Sequence, residues 1–214
     1  MKAAYLLLLL PLCGCNSESL ETSNFGSSYF KNDYQLINAT NHEVAFHISN
    51  ADWDGKERDP SNPKYHYKTL LPGHPAETIR HEVNAEERIS VYGAVPNQTL
   101  SAKAALKVKR DVRYHFLAWQ GDGPFNVSVF AQERRDVNSE FSLRLFAADG
   151  VNVRVGEQRF ALARGELKGR YQLQNCAGTI EVNDIPVDVC DGSLGRSYLL
   201  VIDKQGRKGL YLEQ

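Results

Sequence analysis

Apolar and polar residues alternate in short stretches along almost the whole chain beyond residue 40. They run through VAFHI (44–48), RISVYG (88–93), YHFLAW (114–119), FNVSVFA (125–131), FSLRLFA (141–147), VNVRV (151–155), RYQLQN (170–175), TIEV (179–182), SYLLVI (197–202) and GLYLE (209–213). A period of two is what a half-buried strand needs, because successive side chains point to opposite faces. Turn formers such as Gly121-Asp122-Gly123, Asp149-Gly150 and Gln205-Gly206 separate the stretches. Short strands recurring about every eight to twelve residues predict an all-β sandwich or barrel. SAKAALKVK (101–109) alone has helical character, and it is expected to run into a strand.

The pattern also repeats. DYQLINATNHEVAFHI (33–48) lies over EFSLRLFAADGVNVRV (140–155), with Tyr34 on Phe141, Leu36 on Leu143 and Val44-x-Phe46-x-Ile48 on Val151-x-Val153-x-Val155. VRYHFLAWQGDGPFNVSV (112–129) lies over RSYLLVIDKQGRKGLYLE (196–213), with Tyr114 on Tyr198. The shorter offset at the back places an excess of residues in the first copy, at about 49–78. Repetition on this scale predicts two tandem small antiparallel β-sandwich domains, 29–133 and 137–214, divided near the charged QERRDVNSE (132–140).

INATNHEVAFHI and LFAADGVNVRV, followed later by RDVRYHFLAW and LGRSYLLVI, resemble a bacterial envelope family known as the domain of unknown function 4397. The resemblance spans both halves and implies tandem immunoglobulin-like domains. The chain departs from the family's proline-bearing turn, having Thr40-Asn41-His42 and Ala148-Asp149-Gly150 there, and its long insertion is also unlike the family. The family has no established activity, so the resemblance bears on fold.

The first residues follow a different plan. Met1-Lys2 precedes an apolar run ending at Leu12 that includes Pro11. One positive charge and a short apolar core describe a secretory signal peptide; a bilayer-spanning helix takes about 20 apolar residues. Leu12-Cys13-Gly14-Cys15 resembles a bacterial lipobox, which implies a signal peptide of 1–14 and lipid modification of Cys15. Several acyl chains hold a protein stably where one is marginal. The rival reading of Cys13 and Cys15 as a metal or redox pair would need both thiols on a folded scaffold. Asn16 stands where lipoproteins kept at the inner membrane carry Asp, which favours an outer-membrane anchor. Residues 16–28 are small and polar and read as a flexible tether spanning about 20 Å.

Two further cysteines, Cys176 and Cys190, are expected to form a disulfide in an oxidising envelope. A metal or redox site is the rival, without C-x-x-C spacing to support it. A net charge of −1, with basic residues alternating with apolar ones as in Lys107-Val108-Lys109-Arg110, argues against nucleic acid as a partner.

Candidate chemistry concentrates in the insertion, since long loops on rigid scaffolds tend to carry binding residues. Asp52, Asp54 and Asp59 are hard-oxygen ligands suited to calcium, but their spacing breaks the EF-hand pattern and the same residues build turns. Trp53, Tyr65 and Tyr67 offer flat rings with polar edges to a sugar or peptide; the alternative packs Tyr65 and Tyr67 on the core, with His66 outward. No H-E-x-x-H pair is present, and DGSLG (191–195) misplaces the first Gly of G-x-S-x-G. No cofactor motif or local metal motif emerges. The expected function is therefore non-enzymatic: a lipid-anchored module displaying the insertion to an envelope protein or glycan. The alternatives are an envelope hydrolase or metal-dependent enzyme using the insertion, and a structural spacer or assembly subunit.

Overall fold

A computed structural model describes residues 29–214; Cys15, the expected signal segment and the expected tether lie outside them. The described residues form strands and one turn of 3₁₀ helix at Pro63–Tyr65. The first domain has β1 (Phe30–Ala39), β2 (Val44–Asn50), β3 (His66–Leu70), β4 (Glu77–Val83), β5 (Arg88–Ala94), β6 (Ser101–Lys107), β7 (Tyr114–Trp119) and β8 (Asn126–Ala131). The second has β9 (Phe141–Ala147), β10 (Val151–Val155), β11 (Gln158–Leu162), β12 (Leu167–Leu173), β13 (Ile180–Val182), β14 (Ile185–Val187), β15 (Arg196–Asp203) and β16 (Gly206–Leu212).

Each domain is a sandwich of two four-stranded sheets, and the two have one topology. The orders β4-β1-β7-β8 and β3-β2-β5-β6 recur as β12-β9-β15-β16 and β11-β10-β13-β14. Pairing is antiparallel except where β1 meets β7 and β9 meets β15. A tyrosine near the start of β7 and of β15 is held in the same way: the Tyr114 hydroxyl accepts the Lys109 N–H, and the Tyr198 hydroxyl accepts the Ser193 N–H. This is the tyrosine corner of immunoglobulin-like sandwiches. The copies are not in perfect step, since Tyr114 lies opposite Tyr34 whereas Tyr198 lies opposite Leu143, the match of Leu36. A two-residue slip preserves which face is buried, so both cores tolerate it.

Even-numbered positions of β1 and β7 (Tyr34, Leu36, Tyr114, Phe116) enter the first core with Phe46, Ile48 and Val91. Phe141, Leu143, Tyr198 and Leu200 fill the second with Val153 and Ile180. The other faces of the two inner sheets are apolar as well. Ile37, Ala39, Leu117 and Trp119 pack on Phe146, Ala148, Leu199, Val201 and Tyr211 to make a third core between the domains. The molecule is thus four sheets in a stack, with the middle pair buried on both sides. That accounts for the unbroken burial of β7, β9 and nearly all of β15.

A buried ionic cluster crosses the same interface. Glu213 accepts hydrogen bonds from Arg144 and from His115 Nε2 at 3.1 Å, and Arg144 also donates to the Ala131 carbonyl. Burial pushes the His115 imidazole down, against the pull of Glu213. Cys176 and Cys190 form a disulfide tying the β12–β13 connection to the segment after β14.

Candidate functional site

The connection between β2 and β3 occupies residues 51–65, where the equivalent β10–β11 connection is a turn of Gly156 and Glu157. The excess is therefore narrower than the expected 49–78. His66–Leu70 and the start of β4 belong to the sandwich, hidden in the sequence because their edge strands bury few side chains.

The long connection is a folded structure. Its first residues turn back through Asp52 N–H to the Lys56 carbonyl and Gly55 N–H to the Asp52 carbonyl. Asp54 accepts the Lys56 N–H, Asp59 the Ser61 N–H and Asn62 the Lys64 N–H, three side-chain caps that fix successive turns. The Ser61 N–H holds the Asp59 carboxyl below its ordinary range. Asp52 pairs with Arg58, and Glu57 with Lys103 of β6 at 2.9 Å, clasping the loop to the outer sheet. Pro60 is buried, and beneath the loop the His47 ring meets His66 and Tyr92 edge to face. Burial lowers the His47 pKa.

The three aspartates do not converge. Each is engaged in its own turn or ion pair, and among the described residues no group of three His, Cys, Asp or Glu side chains is placed to hold a metal. The rings also separate. Trp53 projects with 54% of its surface exposed, whereas Tyr65 ends the 3₁₀ turn partly covered. Tyr67 is not a core residue as the pattern suggested: it stands at the sandwich edge, 38% exposed, at the irregularity where β3 slips its register against Phe46 and His47 of β2. His66 is exposed, its Nε2 2.9 Å from the Thr69 hydroxyl.

Tyr67 leads to a bridge that the sequence did not disclose. Its hydroxyl donates to Nδ1 of His81 on β4, and His81 Nε2 donates to the Asn50 side-chain oxygen Oδ1 at 3.0 Å. Asn50 in turn donates to the Glu82 carbonyl. The bridge ties the open edges of both sheets and needs a neutral imidazole. Burial pushes the His81 pKa down to about 4.

Other concavities lie elsewhere. Arg154, Arg159, Phe160 and Glu181 line a groove of about 510 Å³ on the second domain, crossed by the Arg154–Glu181 pair. At the domain junction, Asp122, Asp149 and Asp203 gather near Lys204 and Lys208, which pair with Asp122 and Asp203. No family model matches the chain, and no curated protein matches it.

Proposed function

We propose that this chain is a lipid-anchored, non-enzymatic binding module of the bacterial envelope, held by Cys15 at the outer membrane, with residues 51–65 as its recognition element. The carrying observation is that these residues form a clasped, hydrogen-bonded projection with Trp53 exposed at its surface. A loop ordered before contact loses little entropy on binding, and a large rigid ring is the usual energetic anchor of an interface. Asp52, Asp54, Glu57, Arg58 and Asp59 are engaged in holding the loop's shape, which leaves the ring and main chain to meet a protein or glycan. Cys15 with the polar 16–28 segment would supply the anchor and reach.

The test is capture from solubilised envelope by the purified full chain. Trp53→Ala, and a swap of residues 51–65 for the Gly-Glu turn of the second domain, should each abolish capture while leaving the thermal transition in place. Unchanged capture by both would refute the assignment. Hydrolytic turnover lost on the same swap would favour an enzyme instead.

A further inference from the structure

Between the first domain and the open edge of β16 runs a groove of about 600 Å³, within the range of ligand-binding clefts. Residues 207–212 of β16 form one wall; Gln35 of β1 and the 73–76 turn form the other. Two sets of polar groups there lack a protein partner among the described residues. β16 ends its sheet and pairs with β15 alone, so its far-side main-chain groups have no partner among the described residues. Gln35 is 5% exposed, and its side-chain oxygen is buried without a donor.

A buried acceptor without a donor is destabilising, and such groups are rare enough to need a reason. A carboxamide carries the donor and acceptor of one peptide unit. An extended backbone would satisfy both Gln35 and an unpaired strand edge. We propose that this groove binds an extended peptide segment of another protein, added alongside β16, with one of its peptide groups read by Gln35. This is recognition by strand addition, in which main-chain bonds supply affinity.

The groove indicates what kind of segment fits. A side chain at Gly209 would collide with the Tyr211 hydroxyl, so the phenol lies across the strand and gives the groove an aromatic floor beside Pro75 and Leu210. Arg207 pairs with Asp191 and Lys208 with Asp203, which leaves little charge to select a highly acidic peptide. An uncharged, β-prone segment matches. A second copy is the rival occupant, since a strand edge can pair with its own twofold mate, and the oligomeric state of the wild type separates the two. The site is remote in sequence from Trp53 and does not depend on the reading of the 51–65 loop.

Random heptapeptides displayed on phage are panned against the full chain, with Gln35→Leu as counter-selection. Selected sequences, synthesised as free peptides, should bind wild type about tenfold or more tightly than the variant by fluorescence polarisation. N-methylation of alternate peptide amides should abolish binding, and Trp53→Ala should bind as wild type does. Gln35→Leu should melt no lower than wild type, since it removes an unsatisfied acceptor; Gln35→Met, of similar length, repeats the comparison if leucine does not fold. Failure to select any peptide, equal binding of N-methylated peptides, or a wild-type dimer that Gln35→Leu dissolves would each overturn the proposal.

Discussion

Replacing His81 by glutamine should change how the protein responds to acid. The His81 ring is 7% exposed, accepts from Tyr67 at Nδ1 and donates to Asn50 from Nε2, an arrangement only the neutral ring can keep. Its pKa in the fold is about 4, against about 6.5 for an exposed histidine. The folded value lies below the unfolded one, so the stabilisation is fully present above pH 6.5 and is lost as pH falls towards 4. At about 1.4 kcal/mol per tenfold change in proton affinity, the whole window corresponds to about 3 kcal/mol. Urea unfolding of wild type and His81→Gln at pH 7.5 and 4.5 isolates the effect, because His47, His115 and the arginine-held carboxylates Asp33 and Asp191 are common to both. Wild type should lose about 2.5 kcal/mol more than the variant between those pH values. Equal losses would show that His81 is not a buried neutral ring and would refute the bridge.

Three further outcomes follow from packing. Glu213→Ala should cost about 3 kcal/mol in denaturant unfolding, since it removes the buried carboxylate beside Arg144 and leaves that guanidinium only the more exposed Glu133 at 3.5 Å and the Ala131 carbonyl, while Glu213→Leu with Arg144→Met should recover most of the loss. Replacing Cys176 and Cys190 together by alanine should cost about 3 kcal/mol, the chain-entropy value for a closed loop of about 15 residues. Tyr114→Phe and Tyr198→Phe should each destabilise by about 1 kcal/mol, read as a lowered urea midpoint, because each removes one acceptor from a backbone N–H.

The sequence disclosed much of this fold because most strands have one wet face. Every alternating stretch named above falls on a strand, and the repeat between the two halves reappears as one strand order used twice. Strands β3, β4, β11 and β14 escaped notice. They are short or lie at sheet edges, so few of their side chains are buried: in β3 the core takes Leu70 alone, and in β14 Val187 alone. The stacking of the two domains had a signal of another kind. FLAW in β7, LFA in β9 and YLLVI in β15 are apolar without interruption, which marks a strand covered on both faces.

The candidate site was less legible. Aspartates at 52, 54 and 59 read equally as ligands or turn builders, and only the folded arrangement separates one ion pair and two turn caps from a single cage. His81 and Asn50 sit in ordinary strand patterns, and their roles depend on partners 14 or more residues away in sequence, as with Tyr67 and His81. No local period could have announced them.

The measurement closest to the account's foundation is incorporation of labelled palmitate in a bacterial host, followed by fractionation. Wild-type chain should carry the label in the outer-membrane fraction and begin at a modified Cys15, while Cys15→Ala should take up none. Unlabelled wild-type protein in the cytosol, with residues 1–14 still attached, would contradict it.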